Sequence, residues 1–203
     1  MRRRIPAPGR AACGLGLLVV ILCPFTRAEE SRVVWDGREL HIKAPDLNFL
    51  TGRALETIRN GRAVAYDVQL RLTEGGLVRR RALERFVISY DLWEERFSVT
   101  RLSTGSTARR TSPNLTGRLA EAWCLQHISL PTEQLATDRA YGVELDIRAQ
   151  EDRGATPAAL QDGGGVSLSS LVEIFSRPAR AQQQRWERRW PPVRLSQIER
   201  VSP

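Results

Sequence analysis

Two stretches decide the fold: Ala63–Thr73, reading AVAYDVQLRLT, and Ala82–Leu92, reading ALERFVISYDL. In the first, Val64, Tyr66, Val68, Leu70 and Leu72 share one parity, and Ala65, Asp67, Gln69, Arg71 and Thr73 share the other. Period-two alternation is the signature of a strand with one buried face. In the second, Phe86, Ile88, Tyr90 and Leu92 give the core face, while Leu83, Arg85, Val87, Ser89 and Asp91 point away and read as solvated. Between the strands, Glu74–Arg81 reads as a loop around Gly75-Gly76 with Arg79, Arg80 and Arg81 in the turn. A tight turn after Asp91 returns the chain as Arg96–Leu102, so short connections predict an antiparallel meander.

Outward from this centre, Arg32–Trp35 and Glu39–Lys43 flank Asp36-Gly37 and predict a hairpin, with a single bulged strand as the other reading. Asp46 is placed to cap a helix from Leu47 to the Asn60-Gly61 stop, weakened at Gly52. Ser103–Ser112 reads as a loop. Asn114 then caps a helix to about His127, with Leu115, Leu119, Ala122, Trp123 and Ile128 as its apolar stripe. Ala140–Ala149 is the cleanest strand, with Tyr141, Val143, Leu145 and Ile147 inward and Glu144, Asp146 and Arg148 in water. Gln150–Gly165 reads as a loop, Ser167–Phe175 as a short helix and Ala179–Trp190 as a helix broken by Pro191-Pro192. Val193–Ile198 reads as a last edge strand. There is no internal repeat. The sum is an α+β domain over residues 29–176: an antiparallel sheet, or a β-sandwich, with two or three packed helices. A basic, Trp-containing C-terminal segment follows over 177–203.

The first 28 residues read as a secretory signal peptide. Arg2, Arg3 and Arg4 precede an uncharged span from Ala11 to Thr26, and Thr26-Arg27-Ala28 is a small-x-small cleavage site. The uncharged span is shorter than the roughly 20 residues of a membrane-crossing helix. An anchor retained through residues 11–26 is the alternative, and Leu22 before Cys23 argues against a lipoprotein site. Export places the domain in the periplasm or cell envelope. The chain carries 31 Lys+Arg against 23 Asp+Glu, a net +8. Five of those arginines and none of the acids belong to the leader, so the mature excess is only +3. That balance and export together make nucleic acid a poor partner. Lys43 is the only lysine. Cys124 is the only cysteine after the leader, so no intramolecular disulfide forms.

No catalytic, metal or nucleotide signature stands out. Cys124 and His127 lie one helical turn apart, but structural zinc requires four ligands, and no third group is visible to orient a nucleophile–base pair. Glu144 and Asp146 share a strand face, as paired acid–base carboxylates do, yet Arg148 continues the row and a solvated charged face accounts for all three. Gly163-Gly164-Gly165 lacks the lysine of a phosphate loop. Asn114-Leu115-Thr116 is a glycosylation sequon only for a eukaryotic secretory host. The candidate contacts with a partner or an anionic membrane are Arg185, Trp186, Arg188, Arg189 and Trp190 of the tail, with Arg79, Arg80 and Arg81 of the turn. The competing reading packs both tryptophans on the domain and leaves the arginines in water.

The order of these features resembles one family. Ala54-Leu55 runs to Gly61, Arg85 precedes Tyr90-Asp91, and Tyr141 to Arg148 reads Y-x-V-x-L-D-I-R. Leu171-Val172, Phe175-Ser176 and a Trp-containing tail follow. Over about residues 31–200 the chain is similar to the bacterial exported domain-of-unknown-function family DUF4390. The chain departs from it in a longer 150–165 segment and a more arginine-rich end. The resemblance implies no activity, cofactor or catalytic residue, and it implies a periplasmic regulatory partner such as a membrane sensor kinase. With no catalytic constellation and an export signal, the expected function is a non-enzymatic envelope interaction protein without a cofactor. Envelope small-ligand binding in a cleft between sheet and helices is the alternative, and a hydrolase-like enzyme the third reading.

Overall fold

The computed structural model describes residues 30–103, 109–150, 172, 175–176, 183–198 and 200. The leader expected over 1–28 and the 151–165 connector lie outside these residues, as does the 167–175 helix apart from Val172 and Phe175.

The two deciding stretches are the centre of a six-stranded antiparallel sheet. Strands β3 (Val64–Glu74) and β4 (Leu77–Asp91) pair along their length, and β4 continues to β5 (Arg96–Leu102) and β6 (Arg109–Leu115). On the other side of β3 lie β8 (Ala140–Gln150) and β9 (Arg185–Arg194), giving the order β6-β5-β4-β3-β8-β9. A second sheet joins β1 (Arg32–Trp35), β2 (Glu39–Lys43) and the two-residue β7 (Leu130–Pro131). The helices are α1 (Gly52–Arg59) and α2 (Gly117–Gln126). The fold is α+β, with two antiparallel sheets.

The inner face of the large sheet carries the alternation read from the sequence. Val64, Tyr66, Val68, Leu70 and Leu72 are buried there with Phe86, Ile88, Val99, Val143, Leu145 and Ile147. The same core takes Trp35, Leu40 and Ile42 from the small sheet, Ala54 and Ile58 from α1, and Ala120, Cys124 and Leu125 from α2. Burial of each large apolar side chain contributes about 1.5–3 kcal/mol before the entropy of ordering.

Several local expectations change. The β3–β4 connection is only Gly75-Gly76, both with positive φ (55° and 83°), as a two-residue hairpin turn requires. Arg79, Arg80 and Arg81 therefore belong to β4 and not to a turn. Residues 47–50 are not helical: α1 starts at Gly52, whose φ of +59° few side chains tolerate, and Gln184 Oε1 accepts from the Ala54 N–H at 2.7 Å. A cap supplied from 130 residues away is invisible to local pattern. Arg109–Leu115 is a strand, and α2 is capped by Thr116, not Asn114. Asn114, at φ +60°, turns the chain at an irregularity in the β5–β6 register. The apolar face of α2 is rotated from the expected stripe: Leu119 is exposed, and Ala120, Glu121, Cys124 and Leu125 are buried.

The C-terminal segment is the largest correction. Residues 185–194 form an edge strand running through Pro191-Pro192, not a helix that the prolines break. An edge strand hydrogen-bonds on one side only, and the β8–β9 register shifts opposite the prolines, between Tyr141 and Val143. The chain then makes a 3-10 turn at Leu195–Gln197, and Arg200 bridges to Trp35.

Candidate functional site: a row of guanidinium groups on the outer sheet face

The outer face of the large sheet is not the solvated surface expected. Asp67, Gln69, Asp146 and Arg148 are all buried, as are Leu83 and Val87. Near Leu83 this face is packed by Leu102, Val172 and Phe175, and the Arg148 guanidinium lies 4.7 Å above the Phe175 ring. Burial of charge is tolerated only where charge is paired. Asp67 receives both Arg85 Nε and Nη2, at 2.5 and 2.9 Å, and Gln150 Nε2 at 2.9 Å. Asp146 receives Arg185 at 2.9 and 2.6 Å and Arg148 Nη2 at 3.1 Å.

Register aligns these side chains in rows across β4, β3, β8 and β9. One row reads Arg85, Asp67, Arg148, Arg185, and the next reads Leu83, Gln69, Asp146, Glu187. The third reads Arg81, Arg71, Glu144, Arg189. In this third row three guanidinium groups stand with one carboxylate, which two of them reach. Arg71 Nη2 donates to Glu144 Oε2 at 2.6 Å, and Arg189 Nε lies 3.6 Å from Oε1. Arg81, directly opposite Arg71, makes no ion pair among the described residues. Arg71 Nε is buried and has no hydrogen-bond acceptor among them. Arg189 is 72 % exposed. Like charges opposite one another on adjacent strands are unfavourable, and among the described residues this row holds an excess of two positive charges.

The residues expected to make contacts are thus divided. Arg81 and Arg189, from distant parts of the chain, meet in one row, joined by Arg71, which sequence reasoning placed only as an outward strand residue. Arg79 pairs with Glu74 at 2.7 Å, and Arg80 donates to the Glu133 carbonyl. Arg185 is taken by Asp146 and Glu187, and Arg188 by Asp46 at 2.6 Å. Trp190 is buried, and Trp186 packs edge-on to Phe49 with centroids 6.3 Å apart. Both tryptophans serve the core.

The other sequence candidates are committed elsewhere. Cys124 is buried, and burial pushes its thiol well up. His127 stacks on Trp123 at 3.8 Å, with Nδ1 2.7 Å from the Trp123 carbonyl. Glu144 and Asp146 are each held by arginines. Among the described residues no group of three or more His, Cys, Asp or Glu is arranged for a metal ion, and no helix is long and apolar enough to cross a membrane.

Two further surface features stand out. The β4–β5 turn carries Leu92 and a 95 % exposed Trp93 at its tip. A cleft of about 260 Å3 opens between β2, residues 44–47 and α2, lined by Ile42, Lys43, Leu47, Arg118, Glu121 and Leu125 among others. Of its lining residues, Glu121 accepts the backbone N–H groups of Phe49 and Leu50 at Oε1, at 2.7 and 2.8 Å. Burial raises this carboxyl, and the two N–H bonds and Arg118 act against that rise.

Family models, curated proteins and solved structures contain no match to this chain.

Proposed function

We propose that the protein is an exported, non-enzymatic interaction protein of the cell envelope that docks an acidic surface of a protein partner. The observation that carries this reading is the Arg81–Arg71–Glu144–Arg189 row, in which three cations stand with one anion and Arg81 has no ion pair among the described residues. A carboxylate-bearing partner supplies the missing charge, and arginine suits such docking because its planar fork accepts a carboxylate in two parallel bonds. The exposed Leu92-Trp93 tip fits a protein made for contacts. The resemblance to DUF4390 points to a membrane sensor kinase as the kind of partner.

The test is site-specific photo-crosslinking from position 189 of the full chain in intact cells. A crosslink to a protein, lost in Arg81→Glu and weakened by salt in the purified pair, supports the proposal. A crosslink unchanged by Arg81→Glu refutes it. Binding of the purified protein to phosphatidylglycerol vesicles through the same arginines, with no protein crosslink, assigns the row to the membrane.

A further inference from the structure

The cleft beside α2 is built differently from the arginine row. Its floor is apolar: Ile42 and Leu125 are buried and Leu47 nearly so, with Ala44, Pro45 and Ala122 around them. Its charged lining residues are two cations, Lys43 and Arg118, and one anion, Glu121. Glu121 is already occupied, with one oxygen accepting two backbone N–H groups and the other 3.6 Å from Arg118 Nη1. Arg118 is 63 % exposed at the mouth and also donates to the Pro45 carbonyl at 3.3 Å. Lys43, the only lysine of the chain, stands exposed at the end of β2 with no carboxylate in ion-pair range among the described residues. Its cross-strand neighbour is Arg32, another cation. An apolar lining beside a lysine with no carboxylate in range among the described residues is a place for a molecule with an apolar body and one negative end.

We infer that this cleft binds a small free monocarboxylate with a short apolar body. The carboxylate sits on Lys43 and Arg118, and the body lies against Ile42, Leu47, Ala122 and Leu125. Size limits the ligand. The cleft offers about 260 Å3, room for the short apolar body of hexanoate. Charge sets the sign. Lys43 and Arg118 outweigh Glu121 by one positive charge, and a cationic ligand meets two cations at the entrance. The site is independent of the arginine row, which lies on the opposite face of the large sheet.

Calorimetric titration of the full chain with hexanoate tests this, with hexan-1-ol and hexylamine as probes sharing the same apolar body. Hexanoate binds saturably at one site, and the alcohol and amine bind at least about tenfold more weakly, the worth of one charge-assisted hydrogen bond. Lys43→Met lowers hexanoate affinity by about the same factor while leaving the exposed surface around it folded. Ala122→Leu fills the cleft and abolishes binding, and a cooperative melt shows that this variant is folded. The inference is overturned if hexanoate and hexanol bind equally, if Lys43→Met changes nothing, if hexylamine binds best, or if no saturation appears below about 10 mM, the weak end of specific small-ligand binding.

Discussion

Replacing Glu121 is the sharpest test of how this fold is held. Its side chain is nearly excluded from water, yet it lies on a helix face where the pattern calls for an apolar residue. One oxygen accepts from both Phe49 and Leu50, ordering the non-helical 47–50 segment against α2. Glu121→Ala leaves two buried backbone donors without acceptors, at about 1–3 kcal/mol each, so the expected loss is about 2–6 kcal/mol, a large share of the usual 5–15. Glu121→Gln keeps a carbonyl oxygen for the same two donors and removes a buried charge, so it costs about 1 kcal/mol or less. Urea unfolding at neutral pH, with unchanged m-values, measures both. Acidity adds an independent reading. Burial raises the folded-state carboxyl of Glu121 above its ordinary 4.5. The folded protein therefore binds this proton more readily than the unfolded chain does. The penalty for the charged form is complete above the folded value and is relieved as pH falls through it. Wild type should gain stability relative to Glu121→Gln as pH is lowered from 7 towards 4.5. The reasoning is refuted if Glu121→Ala costs under 1 kcal/mol, or if Gln is as damaging as Ala.

Other expectations follow from single contacts. Asp67→Ala strands the Arg85 guanidinium on the covered face and should cost about 3–5 kcal/mol, whereas Asp67→Leu combined with Arg85→Met should recover most of it; a denaturant series on the three proteins decides this. Cys124, fully buried and with its thiol pushed well up, should react with a thiol reagent only at the rate of unfolding, and fast labelling of the native protein contradicts its place in the core. On acidification the opposite of the Glu121 effect is expected from Asp36, whose carboxyl is lowered by N–H groups of Glu39 and Arg38. Its stabilisation is present above the ordinary 3.8 and is lost as pH falls through its folded value, so Asp36→Ala should flatten that part of the acid unfolding curve.

Legibility followed the range of the interactions. β3, β4, β5 and β8 could be read because alternation along a strand is a local signal, and the inner core residues are those the alternation named, except that Tyr90 is only half-buried and Leu92, just past the end of β4, is exposed on the turn. β9 was misread because Trp186 and Trp190 are four residues apart. Four is one helical turn, but it is also two strand periods, so the spacing places both rings on one face in either structure. Only the pairing with β8 decides, and that partner is some 40 residues away. The role of Glu121 is hidden for the same reason: the backbone donors it accepts from, Phe49 and Leu50, lie over 70 residues earlier. The outer face of the sheet was taken for surface because its residues are charged. Charge marks a solvated face only when the charges are unpaired, and here pairing across strands carries Asp67 and Asp146 into the interior. Arg81 and Arg189 could be singled out as basic residues, but their meeting through Arg71 and Glu144 is a property of register alone.

The row structure explains why the arginine excess accumulates where it does. The row Arg85, Asp67, Arg148, Arg185 is positive by two, and its neighbour, with Asp146 and Glu187, is negative by two. These two rows neutralise one another through real contacts: Arg185 reaches both Asp146 and Glu187, and Arg148 reaches Asp146. Their charge is spent inside the covered part of the sheet, where unpaired charge is costly. The Arg81, Arg71, Glu144, Arg189 row borders the same negative row, but both acids there are already engaged by Arg185. Among the described residues of the sheet only Glu144 offsets it, serving Arg71 and Arg189 and not Arg81. A positive row next to an exhausted negative one is stable only while water solvates it or another molecule supplies the anion. Arg81 and Arg189 leave both ends of the row exposed, and a partner's carboxylate can enter at Arg81 without displacing an ion pair seen among the described residues.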